Sequence, residues 1–386
     1  MRTIINAHQF LSLSASINYQ LSASPINWRA VLALVVGNRL DEADNEIILE
    51  ALHYLGEAYG QTKRRLGPYA IIHPIRAMAL LSRAVEKFTL LDLLTILFHD
   101  KQEDITADRY PADAWRSLEV HYAALIRRLK PEDEWFLNER LEILAIQPGE
   151  KYYNYLGRML ERAHQTPELV RIKLADRLDN TLDLRMDLYS DKADIECYEM
   201  IFALLFTETR ARFCVRPPHP VPGKINGARR LYQMFKNAVF LSLLRDAGLD
   251  RIDTACERLF ATIARTSLSE AQRILQHIFM YHLQEMQDQR AILMDVMTYC
   301  QQGAVTRVTP TSATHRLDGL FKYRFDHEDK ETRNRSLDEL YKDKPLMAES
   351  ALAFMAVFSS FLMDPDFKIR GIDAAGIHPD SAGPEA

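Results

Sequence analysis

Apolar residues recur at three- and four-residue intervals through most of this chain, the spacing of amphipathic helix rather than of alternating strand. Residues 43 to 59 carry Ile47, Ile48, Ala51, Leu52 and Leu55 at such intervals, and residues 27 to 36 repeat the pattern. Residues 89 to 104 do the same with Leu90, Leu93, Leu94, Ile96 and Leu97. Further helices are expected at 168–188, 228–246, 250–265, 267–300 and 345–363. Glycine supports this reading: 14 residues in 386 is roughly half the usual ~7 %, so tight turns are few and helices long. The fold class expected is all-α.

The clearest interruption is Arg216 to Gly227, RPPHPVPGKING, whose four prolines and two glycines exclude continuous helix. It divides the chain into a first domain of residues 1–215, a linker of 216–227, and a helical C-terminal domain of 228–386 ending in a loose tail. Met and Tyr between 277 and 300 read as core or interface, and the C-terminal helices are expected to serve regulation or homo-oligomer formation. The net charge of −5 gives no reason to expect a nucleic acid or an anionic membrane as partner. The apolar stretch Ala351 to Met363 is too short to span a bilayer and reads as a buried or interface helix. Cys197, Cys214, Cys256 and Cys300 lack C-x-x-C spacing, so reduced thiols are expected. No signal-peptide pattern opens the sequence, and a cytoplasmic location is expected.

Polar residues that interrupt apolar helices carry the chemistry. His99-Asp100 is followed by Glu103-Asp104 at the end of the 89–104 pattern. The dipeptide alone means little, since His327-Glu328 is another of its kind. His73 stands just before Pro74, hence at a helix N-terminus, where proline is tolerated. Asp176, Asn180 and Asp183 share one face of the 168–188 helix at i, i+4 and i+7. Two imidazoles and two carboxylates (His73, His99, Asp100 and Asp176) suit a borderline divalent ion such as manganese, with open positions for water and substrate. Glu103 and Asp104 would orient water or shuttle a proton. The basic run Lys63-Arg64-Arg65 is a candidate for phosphate or base contact. Arg158 and Arg162, four residues apart, face either polyphosphate or solvent.

Three runs in order, IIHP, FHDKQED and VRIKLADRLDN, with YNYLGRMLERA before the last, resemble the hydrolase domain of the RelA/SpoT stringent-response enzymes over about residues 45 to 195. These are HD-type phosphohydrolases that remove pyrophosphate from the 3′ position of guanosine tetraphosphate and pentaphosphate. The resemblance implies an HD-domain helical bundle and one Mn2+ bound by His73, His99, Asp100 and Asp176. It makes Glu103 and Asp104 the catalytic carboxylates, and it places Arg64 and Asn180 at a nucleotide alarmone substrate, where Arg65 and Lys173 are also expected to bind. Leu66, Ile105 and Asp183 depart from the family pattern at the substrate rim, and Asp183 there would repel polyphosphate unless paired with Lys173 or Arg177. Other substrates therefore stay open: (p)ppApp, a deoxynucleotide triphosphate or a cyclic nucleotide. So does a non-catalytic alarmone sensor. GKINGARRLYQMF faintly echoes a basic synthetase motif, but no strand pattern follows it.

Overall fold

A computed structural model of the protein describes residues 4–60, 62, 69–183, 226–303, 307–310 and 313–379. Among them the fold is all-α, with a single two-residue hairpin, Ile372–Asp373 against Gly376–Ile377. Two compact units emerge. The first comprises Met1–Asp183 with Leu249–Thr262, the second Leu184–Gly248 with Ile263–Ala386. Residues 249–262 thus group with the first unit, although they lie beyond the 216–227 segment in sequence. Of that segment only Asn226 and Gly227 fall within the described residues.

The first unit contains α1 (Ala7–Leu21), α2 (Trp28–Val35), α3 (Glu42–Tyr59), α4 (Ile72–Ala84), α5 (Leu90–Phe98) and α6 (Lys101–Asp104). It continues with α7 (Ala112–Ile126), α8 (Pro131–Leu144), α9 (Tyr152–Ala163) and α10 (Glu168–Leu182). Its centre is α4, in which every residue but Arg83 is buried, so apolar side chains project on all sides. α10 and α5 pack against it. Each fully buried Leu or Ile there contributes about 1.5–3 kcal/mol by leaving water. The start of α5 is fixed by a capping box, Thr89 and Asp92 each accepting from the other's backbone N–H.

One break was not expected. The 89–104 segment is two helices rather than one, because the helix stops at His99 and Asp100 takes φ −97°, ψ 6°. In a continuous helix neighbouring residues point about 100° apart. The bridge-region conformation of Asp100 instead lets two adjacent side chains aim at one point.

In the second unit α11 (Gly227–Asp246) begins at the Asn226 cap. α12 (Thr254–Tyr281), whose residues up to Thr262 group with the first unit, runs without interruption through the break expected near 266, since RTSLS holds no Gly or Pro to stop it. The real break comes after Tyr281, where the Gln289 side chain of α13 (Met286–Gln301) caps the carbonyls of Phe279 and Leu283. α14 (Lys330–Lys342) and α15 (Lys344–Met363) follow. α15 is long and apolar enough to cross a membrane by composition, but its hydrophobic window is 72 % buried within the protein. The tail is not loose as far as residue 379: Ile369, Ile372 and Ile377 are buried, and Ser242 of α11 bonds the Ile369 backbone.

Candidate metal centre

Three helices and the α5–α6 break bring four donor atoms together. His73 is the second residue of α4, His99 follows α5, and Asp176 sits within α10. His73 Nε2 lies 3.2 Å from His99 Nε2, 3.3 Å from Asp100 Oδ2 and 3.3 Å from Asp176 Oδ1. His99 Nε2 lies 3.2 Å from Asp100 Oδ2 and 3.6 Å from Asp176 Oδ1. Ligands bonded about 2.1 Å from one ion stand ~3.0 Å apart at right angles and ~3.4 Å apart in a tetrahedron, a range that holds all of these spacings but the 3.6 Å from His99 to Asp176. The buried group His73, His99 and Asp176 can hold a metal ion, and Asp100 on the half-exposed side brings its Oδ2 against both histidine nitrogens.

The tautomers strengthen this fit. His99 Nδ1 is 2.7 Å from the Ile96 carbonyl, which can only accept, so Nδ1 carries a proton. His73 Nδ1 is 2.7 Å from Asp179 Oδ2 and donates likewise. In the neutral imidazoles both Nε2 atoms are then lone pairs, facing each other and two carboxylates. Four converging acceptors repel unless a cation lies among them. Without an ion a proton takes that place. Burial disfavours a charged His99, but Asp100 and then Asp176 outweigh it and push the imidazole up to about 9. Burial also opposes ionised Asp100 and Asp176, yet His99 and His73 beside the first, and Lys173 and both histidines beside the second, hold each well below the carboxylate range.

Asp176 is held from two sides. Lys173 Nζ lies 2.9 Å from its Oδ2, and Asn180 Nδ2 donates to its Oδ1 at 2.6 Å. Lys173 also stands over the Tyr155 ring, 5.3 Å from its centroid. Burial alone would lower Lys173, but Asp176 raises it well above the usual lysine value. Lys173 and Asn180, expected at a substrate, are thus engaged with a candidate metal ligand. Glu103 accepts from the Ile146 N–H at 3.3 Å, and burial followed by the Asp100 charge raises its carboxyl. Asp104 accepts from Tyr59 Oη at 3.1 Å and pairs with Arg109 at 3.4 Å. Arg64, Arg65 and Leu66 lie outside the described residues.

Two expectations need correction. Asp183 is buried, and its Oδ1 accepts from Arg76 Nη2 at 2.7 Å, so it is turned into the protein rather than set against a substrate at the rim. Arg158 clamps Glu150 and the carbonyls of Ile143 and Ala145, a structural tie between α8 and α9 that leaves polyphosphate no role in its placement. The residues missed were Arg76 and Asp179. An arginine inside IIHPIRAMALL has no solvent to face and requires a buried acid. Asp179, one residue before Asn180 in the DRLDN run, supplies it at 2.7 Å. Comparison with protein-family models and with curated proteins finds no match for this chain.

Proposed function

We propose that the protein is a metal-dependent phosphohydrolase of the HD type, removing pyrophosphate from the 3′ position of guanosine tetraphosphate or pentaphosphate with one Mn2+. The observation that carries this reading is the convergence of His73 Nε2, His99 Nε2, Asp100 Oδ2 and Asp176 Oδ1 within 3.2–3.6 Å, for the pairs named above. The order of the HP, HDKQED and KLADRLDN runs supplies the substrate class by resemblance. An ion bound there provides Lewis acidity toward phosphoryl oxygens and acidifies a water.

The remaining work falls to the protein's own side chains. Lys173 and Asn180 hold the Asp176 carboxylate from both sides, so it is presented without reorganisation. Glu103 begins three residues past Asp100, and its raised carboxyl suits it to take up and return a proton. Asp104, fixed by Tyr59 and Arg109, stands ready to orient a water or the leaving group.

The test is pyrophosphate release from guanosine tetraphosphate by the full-length protein with Mn2+, followed with and without a chelator. Release that stops on chelation is expected. Release that ignores the chelator would remove the metal from the mechanism. Tight binding with no turnover would make the protein an alarmone sensor, and release only from an adenosine substrate would replace the base.

A further inference from the structure

Behind the metal centre, away from Asp100, lies a second set of charges with no part in the reaction as described. Arg76 and Asp179 are both 0 % exposed. Arg76 grips Asp179 with a bidentate fork, Nε to Oδ1 at 2.7 Å and Nη2 to Oδ2 at 3.0 Å. The same Nη2 donates to Asp183, and Nη1 reaches Ser14 Oγ at 3.4 Å. The Phe10 ring of α1 lies under the guanidinium, 4.8 Å away. Asp179 Oδ2 then receives His73 Nδ1 at 2.7 Å.

Stability gives no account of this arrangement. Well-packed apolar residues of similar volume usually match or exceed a buried ion pair. Orientation does. A carboxylate accepting from Nδ1–H leaves Nε2 as the lone pair, fixes the ring plane and raises the donor strength of that nitrogen. The guanidinium fork fixes the carboxylate in turn, so the ring cannot turn without breaking charge-assisted bonds. Among the described residues, His99 has only the neutral Ile96 carbonyl behind it. The two imidazoles are thus supported unequally.

We infer that Arg76 and Asp179 are positioning residues for metal binding, a buried relay braced by Phe10, Ser14 and Asp183 that fixes His73 with Nε2 toward the ion. The inference rests on the metal-centre reading above and deepens it. The N-terminal helix α1 becomes part of the support of the site through its contacts with Arg76.

The experiment measures Mn2+ affinity of the full-length protein by competition with a fluorescent chelator, beside urea unfolding of each variant. Asp179→Asn keeps the shape and an acceptor but loses the charge, and should weaken Mn2+ binding about 10–100-fold. Arg76→Lys keeps the buried cation but loses the fork, and should weaken binding in the same direction; it carries the test if Asp179→Asn does not fold. Asp92→Asn is the control, since Asp92 forms a partly buried pair in the same unit, with Arg140 at 3.1 Å, and touches none of the four candidate ligands. A purely structural role predicts that all three variants lose stability and none loses affinity. Wild-type affinity in folded Asp179→Asn, or an equal loss in Asp92→Asn, would overturn the relay. A wild-type protein that binds no Mn2+ would instead overturn the metal centre itself.

Discussion

Each unit buries a cluster of charges, and the two clusters are built on opposite plans. In the second unit Glu270 stands between two arginines, with Arg230 Nη1 2.9 Å from one oxygen and Arg273 Nη1 3.0 Å from the other. The carboxylate and the guanidinium groups answer one another. In the first unit the Nε2 atoms of two histidines lie against oxygens of two aspartates, and although Lys173 and Asn180 brace Asp176 from outside, the facing atoms cannot satisfy one another without a positive charge among them. Buried charge alone therefore marks no site. What marks one is a set of groups of the same electrostatic sense, held together by the fold until something complementary arrives.

The largest effects separate the plans directly. Glu270→Gln should cost about 3–5 kcal/mol of folding stability, because it strips the partner from two buried cations. That loss should be the same with and without Mn2+ in urea unfolding. Asp176→Asn should show the other pattern: the gain from saturating Mn2+, about 2.7 kcal/mol at one hundred times the dissociation constant, disappears along with hydrolysis. A Glu270 defect that Mn2+ repairs, or an Asp176 variant still stabilised by it, would break the contrast.

A smaller and more specific effect concerns pH. In the ion-free protein a proton on His99 stands in for the ion up to about pH 9, against an ordinary value near 6.5. Its stabilisation is fully present below about 6.5 and is lost as pH rises through about 9. The ion needs that lone pair, so proton and ion compete, and apparent Mn2+ affinity should rise about tenfold per pH unit below 9. Between pH 6.5 and 8.5, under anaerobic conditions, the thermal shift caused by Mn2+ should widen as pH increases. A shift independent of pH would mean that His99 surrenders no proton and does not bind the ion.

How much of this was legible in the sequence follows from what each residue has to do. His73, His99, Asp100 and Asp176 stood out because a polar group in an apolar helix run has few other reasons to be there. The helix break at Asp100 did not, since FHDKQED contains no Gly or Pro and the turn is set by tertiary packing. Arg76 and Asp179 did not stand out, although each lies three residues beyond a candidate ligand, His73 and Asp176, on helices that pack together. Asp183 was placed on the right helix and given the wrong neighbour, because helical spacing fixes a face but not what covers it. In the second unit RTSLS looked like a boundary and is not one, as Ser and Thr weaken a helix without ending it.

The smallest effect tests the acidic pair at the edge of the metal centre. Tyr59 is buried, and burial followed by the Asp104 and Asp100 charges raises its phenol far above the ordinary value, so it stays a donor throughout the working range. Its bond to Asp104 is one of two supports, the other being Arg109. Tyr59→Phe removes one neutral-to-charged hydrogen bond while keeping the ring, a change of about 1.5 kcal/mol or somewhat more. If Asp104 acts in the reaction, that loss should appear as roughly a tenfold fall in kcat. KM and Mn2+ affinity should hold, because the four donors are untouched. Equal changes in kcat and Mn2+ affinity would instead place Tyr59 among the supports of the ion, beside Lys173, Asn180, Arg76 and Asp179.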